Sequence, residues 1–218
     1  MLYDRIKMII WLGFVLLAVM VIAFVSSSLF GWMREKRPTI TRSELRTGDI
    51  IQCASANAGR YLFSISGIHS GHSFMVVRDD VSGELNHIEI TGYHDHEDGN
   101  AKPSIYPLTE RIDDKTRETF YCVYKYNGVH IPSIKVTEFH NLIKDSEFNY
   151  TFLQEHFKKR FLGMKRDVTK NKFCCSEVVY LCLVYCGVFK YNEDDFCNSF
   201  QFLLSGLPTH SAPHDLIS

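Results

Sequence analysis

Cys174 and Cys175 are the residues best placed for covalent chemistry. They lie in the segment Asn171-Lys-Phe-Cys-Cys-Ser-Glu-Val-Val-Tyr-Leu-Cys-Leu-Val-Tyr-Cys-Gly187. A polar stretch gives way there to an apolar run of helical period, which puts both thiols at or just before a helix N-terminus. Unpaired N–H groups and the positive end of the helix dipole favour a thiolate at such a point. The same amides can hold the oxyanion formed in acyl transfer. Ser176 and Glu177 suit the first turn, where an acidic side chain is favourable. Cysteine also packs often as a small buried hydrophobe. Cys175, Cys182 and Cys186 share one helical face with Val179. Cys182 and Cys186 read as core thiols, whereas Cys175 fits either role.

A thiol becomes a useful nucleophile beside an imidazole, and the imidazole needs a third group to fix its tautomer. His72 opens a strand-like apolar run after Gly71. Glu89 lies in the next such run, between Ile88 and Ile90, where a carboxylate is out of place without a partner. His87 shares the face of Glu89 and can replace it, and His69 is a second candidate base in the preceding loop. Local context thus offers one candidate set, with Cys175 as nucleophile, His72 as base and Glu89 as orienter, beside the reading of Cys175 as a core thiol. Metal binding ranks lower. His94-Asp-His-Glu-Asp98 reads as a solvated loop before Gly99-Asn100. Cys174, Cys175, Cys182 and Cys186 lack the paired two-residue spacings of structural zinc sites. No metal and no cofactor is expected.

The elements that must hold these side chains fall into a strand half and a helix half. Thr47-Gly48-Asp49 is a turn signal before the strand-like Ile50–Cys53. His72–Arg78 is rich in residues that suit a half-buried sheet. Asp79-Asp80-Val-Ser-Gly83 punctuates it, and Leu85–Thr91 alternates with period two, so the two runs form a hairpin. Thr119–Tyr126 is a further strand. After Pro132 the period changes, and Val136–Ile143, Phe152–Phe161, Cys175–Cys186 and Phe196–Leu204 read as helices. The expected class is α+β, with helices segregated after an antiparallel sheet.

The chain has 218 residues, 45% apolar, 22% charged and 13% aromatic, with formal net charge −1. This composition excludes a disordered chain, a collagen and a coiled coil, and a near-neutral charge argues against a nucleic-acid binder. Met8 to Val25 is an almost unbroken apolar run, flanked by Arg5 and Lys7 and by Arg34, Lys36 and Arg37, with Trp11 and Trp32 near its ends. Roughly 20 such residues in a helix cross a bilayer core, so residues 1–37 are expected to be a retained transmembrane anchor with a basic flank. The rival is a cleaved signal peptide ending near Val25-Ser26-Ser27, but the run is long for one. Residues 38–218 then form one domain. The heavier basic flank on its side and the seven cysteines, an odd number in a poor disulfide framework, favour the cytoplasmic face. The one glycosylation sequon, Asn149-Tyr150-Thr151, matters only on the other face.

The order Gly48-Asp49-Ile50-Ile51, Ser70-Gly71-His72, Ile88-Glu89, Pro107-Leu108 and Phe173-Cys-Cys-Ser-Glu-Val-Val179 resembles the circularly permuted papain-like proteins of the NlpC superfamily. These include the bacterial YiiX/YaeF-type enzymes, the poxvirus papain-like proteins and, more distantly, the lecithin:retinol acyltransferase group. The resemblance spans about Ser43 to Gly187. It implies a permuted papain-like fold with the nucleophile last in the chain: His72 as base, Glu89 as orienter and Cys175, directly before Ser176-Glu177, as nucleophile. It implies a cysteine hydrolase of amidase or peptidase type, or a lipid acyltransferase or esterase of the same fold, and it admits a viral source. A non-catalytic, membrane-anchored interaction module remains the alternative of a different class.

Overall fold

The computed structural model describes residues 38–55, 72–90, 101–113, 119–149, 171–192, 209–211 and 214–217, and six positions between Trp11 and Val21. Nine strands, three α-helices and one 3-10 turn (Arg42–Glu44) are present among the described residues of the domain. In chain order these are β1 (Thr39–Thr41), β2 (Ile50–Ser55), β3 (His72–Arg78), β4 (Leu85–Glu89), β5 (Ser104–Pro107), α1 (Leu108–Ile112), β6 (Thr119–Tyr124), α2 (Ser133–Ile143), β7 (Glu147–Phe148), β8 (Lys172–Phe173), α3 (Cys175–Tyr185) and β9 (His214–Ile217). Seven strands form one sheet in the order β1-β9-β6-β2-β3-β4-β5, and β7 pairs with β8 in a small second sheet. Within the large sheet only β1 and β9 are parallel.

The α+β class and the mostly antiparallel sheet agree with the sequence pattern. The expected segregation of helices after strands does not hold. β9, near the C-terminus, enters the sheet between β1 and β6, and α1 separates β5 from β6. Short strands bounded by Thr, Ser and Pro give little period-two signal, which is why β1, β5 and β9 escape sequence reading. The expected helices Phe152–Phe161 and Phe196–Leu204 lie outside the described residues. So does most of the expected anchor. The six described positions within it are helical, with Trp11, Val15, Val19 and Val21 exposed. Among the described residues no helix is long and apolar enough to cross a membrane.

Two cores flank the sheet, because side chains alternate between its faces. Met75, Val77, Ile88 and Ile90 pack with Val178, Val179, Cys182 and Leu183 of α3 and with Val136 and Phe139 of α2. On the opposite face Ile51, Cys53, Phe74, Val76 and Val123 pack with Leu108 of α1, Ile40 and Leu45. α3 is apolar nearly all round, and such a helix must be buried on most sides. It ends in a Schellman motif: Gly187, at φ +79, donates to Val184 O, and Val188 donates to Leu183 O.

Gly48-Asp49 is the point where the strands are tied together. Gly48 adopts φ +97, and a Cβ there would stand 2.9 Å from both Ile131 and Tyr126. Its N–H donates to Val76 O, and Val76 N–H donates back to Asp49 O. The fully buried Asp49 carboxylate accepts N–H bonds from Arg46 (2.9 Å) and Tyr126 (2.8 Å) and faces Lys125 Nζ at 3.1 Å. His210 Nε2 donates to Gly48 O at 3.0 Å, which anchors the chain before β9 to the same turn. Burial holds the His210 imidazole below its ordinary value.

Two outcomes follow from this turn. Asp49→Ala leaves the buried Tyr126 amide and the Arg46 amide without their acceptor and Lys125 without its carboxylate, and lowers unfolding free energy by about 3 kcal/mol in urea titration. A loss below about 1 kcal/mol contradicts this assignment. His210 is kept neutral in the fold, so its contribution is complete above its unfolded value near 6.5 and is lost as pH falls through the lower native value. The melting temperature therefore declines below about pH 6.5, and His210→Gln flattens that decline.

Candidate active site

Cys175 is the first residue of α3, and Cys174 is its N-cap, in extended conformation (φ −93, ψ 170). The cap closes on itself. Cys174 N–H donates to Glu177 Oε2 at 2.7 Å, while the Cys174 sulfur accepts from the backbone of Glu177 and lies 3.3 Å from Ser176 Oγ. A capping box of this kind fixes where the helix begins, and hence where the next residue's side chain points. Burial dominates the Cys175 thiol and pushes it up to about 12, against the favourable backbone amides of Ser73 and Ser176 that face its sulfur. The thiol is therefore protonated at rest, not the thiolate that the helix dipole alone would favour.

Ser73 is the second residue of β3, and His72 is the first. The described ladder between β3 and β4 runs from Met75–Ile88 to Arg78–Leu85, so Ser73 lies beyond its end, where its amide meets the Cys175 sulfur. His72 points to the other face, with Phe74. There its Nε2 donates to Glu89 Oε2 at 2.5 Å. A carboxylate only accepts, so Nε2 is the donor in this bond and Nδ1 takes no part in it. Glu89 is 1% exposed and His72 13%.

Two more basic groups surround this carboxylate. Arg111 of α1 brings Nε to 3.8 Å from Glu89 Oε2, and His87 brings Nε2 to 3.6 Å from Oε1. His87 is clamped between the rings of Phe74 and Tyr106. Cys53 of β2, opposite His72 in the ladder, faces Arg111 and Glu89, and burial raises its thiol.

The structure thus brings His72 and Glu89 into direct contact and seats Cys175 against the residue next to His72. Among the described residues no hydrogen bond joins His72 to Cys175. His87 faces the carboxylate of Glu89. His69 and the run His94–Asp98 lie outside the described residues, and among those described no group of three or more His, Cys, Asp or Glu can hold a metal ion. Arg111 and Cys53 were not singled out by sequence. Arg111 lies in Thr109-Glu-Arg-Ile112, where a charged pair reads as a solvated helix face, and only the fold turns it inward.

No protein-family model and no curated protein matches this chain. Among solved structures it is similar to the metalloprotein yiiX from Escherichia coli O157:H7, at 16% identity over 84% of this chain and 89% of that one, with a TM-score of 0.45.

The state of the thiol is open to direct measurement. At about pH 7.5, iodoacetamide is expected to modify Cys175 at least about 100-fold more slowly in the native protein than in urea. Cys186, whose thiol is lowered by a hydrogen bond with Cys182, reacts ahead of it. Equal native and unfolded rates at Cys175 contradict a buried, protonated thiol.

Proposed function

We propose that this chain is a membrane-anchored thiol hydrolase of the permuted papain-like type, working through Cys175, His72 and Glu89. One observation carries the reading: Glu89 holds His72 by Nε2, which leaves Nδ1 as a proton acceptor one residue from the amide that faces the Cys175 sulfur. His72 Nδ1 takes the thiol proton as the Cys175 sulfur attacks a carbonyl carbon, and the carbonyl electron pair moves onto oxygen. Amides at the start of α3 hold that oxyanion. Collapse expels an amine, which takes the proton back from His72 and leaves a thioacyl-enzyme. Water, deprotonated by His72, then releases the acid and restores the thiol. The step needs the start of β3 to rearrange when substrate seats, because the His72 ring points to the sheet face opposite α3 and, among the described residues, no hydrogen bond joins it to Cys175.

The preferred substrate is an amide, meaning a peptide or aminoacyl-type bond. The alternative is a lipid ester or acyl group, which the anchor supports by keeping the domain at a bilayer surface. That anchor is residues 1–37, whose described positions are helical with exposed apolar side chains. The domain is assigned to the cytoplasmic side. The buried state of Asn149 supports this, because a glycan on it has no room in the folded domain. A second reading, a non-catalytic membrane-anchored module, has its own support in the protonated Cys175 thiol without a bond to His72.

The full-length chain in detergent and in lipid vesicles separates these readings with a panel of soluble amides and vesicle-borne esters. Cys175→Ala abolishes turnover by at least about 1000-fold and leaves the melting temperature within about 2 °C if the thiol is the nucleophile. A lowered melting temperature with no thiol-dependent turnover on any substrate supports the module. Turnover confined to vesicle-borne esters supports the lipid alternative.

A further inference from the structure

Two buried polar side chains lie beside the seat of the Cys175 sulfur, on the sheet face that α3 covers. Gln52 on β2 stands directly opposite Ser73 on β3. Residues two apart on a strand share a face, so Gln52 goes with Ile50 and Ser73 with Met75. Ile50 and Met75 both belong to the core that α3 packs on. Gln52 is 3% exposed and Ser73 1%. Among the described residues neither Gln52 Nε2 nor Ser73 Oγ has a hydrogen-bond partner. Ser73 is also the residue whose backbone amide faces the Cys175 sulfur. Directly opposite side chains of an antiparallel pair have Cβ atoms about 5 Å apart, within the reach of a glutamine amide. The hydroxyl and the amide are thus neighbours next to the thiol.

A buried polar group without a partner costs stability, and one that persists in a core calls for something that completes it. A hydroxyl and an amide N–H2 both donate, so what completes this pair is an acceptor. In the proposed reaction such an acceptor forms beside the Cys175 sulfur. As the sulfur–carbon bond forms, the carbonyl electron pair moves onto oxygen, which gains negative charge and takes no proton. We propose that Ser73 Oγ and Gln52 Nε2 donate to this oxygen, as catalytic residues acting with the amides at the start of α3. The proposal rests on the catalytic reading of Cys175 and adds the side chains that touch the substrate carbonyl. Ser73 belongs to the start of β3, which must move for substrate to seat, and the same movement admits the carbonyl to both donors.

The test compares two reagents on the full-length chain in detergent. p-Nitrophenyl acetate acetylates a thiol through a tetrahedral oxyanion, whereas iodoacetamide alkylates it by displacing iodide at a saturated carbon, with no oxyanion. Modification of Cys175 is followed by mass spectrometry of its peptide in the wild type, Ser73→Ala, Ser73→Thr, Gln52→Met and His72→Ala. Ser73→Ala and Gln52→Met are each expected to slow acetylation at least about 10-fold, with alkylation within about twofold of wild type. Ser73→Thr, which keeps the hydroxyl, stays close to wild type with both reagents. Neither Ser73→Ala nor Gln52→Met lowers the melting temperature, because each replaces an unpaired buried polar atom by an apolar group. An unchanged ratio of acetylation to alkylation in both variants overturns the proposal. So does a lowered melting temperature with both rates altered together, which marks the two side chains as structural. Acetylation of Cys175 that proceeds equally well in His72→Ala overturns the catalytic reading itself, and the role of Ser73 and Gln52 falls with it.

Discussion

Glu89 is a carboxylate with 1% of its surface exposed, and taking such a group from water costs several kcal/mol unless basic groups gather round it. Among the described residues the fold brings His72 from the start of β3, His87 from β4 itself and Arg111 from α1. Each is there because of a backbone feature. The β3–β4 hairpin sets the two histidines on the face of Glu89, since residues two apart share a face. The short helix after Pro107 is fixed by Leu108 in the core and turns Arg111 inward. Glu89 therefore links the start of β3, β4 and α1 through its contacts with His72, His87 and Arg111. Asp49 plays the matching part at the start of β2, where it ties the turn before that strand to Tyr126 and Lys125.

The same arrangement sets what the thiol can do. α3 lies on the opposite sheet face from the His72–Glu89 pair, and its first residue meets β3 only at the strand's beginning. Burial there outweighs the helix-start amides and keeps Cys175 protonated. A site built this way differs from one with a standing thiolate–imidazolium pair. The proton must move during the reaction, and the base must be neutral beforehand.

Much of this was legible from residues alone where the physics is local. β3 has the bounds that its apolar run suggests, and the start of α3 at Cys175 follows from Ser176-Glu177 ahead of an apolar stretch. The partnership of His72 with Glu89 was inferable because an acid between Ile88 and Ile90 demands a base. What escaped is non-local. β9 is a four-residue strand whose place between β1 and β6 depends on pairing across the whole chain. Arg111 looks solvated until α1 is packed. The depth of Cys175 depends on how α3 meets the sheet, and no spacing rule carries that information. The dipole argument for a thiolate was sound in its sign but smaller than the burial that opposes it.

The central claim is that Glu89 acts on the thiol through His72. A double-mutant cycle on the rate of Cys175 labelling by a fluorescent acyloxymethyl ketone, with His72→Ala, Glu89→Gln and the pair, tests it directly. The account predicts strong non-additivity: each single change slows labelling, and Glu89→Gln costs nothing further once His72 is gone. Two losses that simply multiply would show that the pair does not act as a unit and would contradict the account.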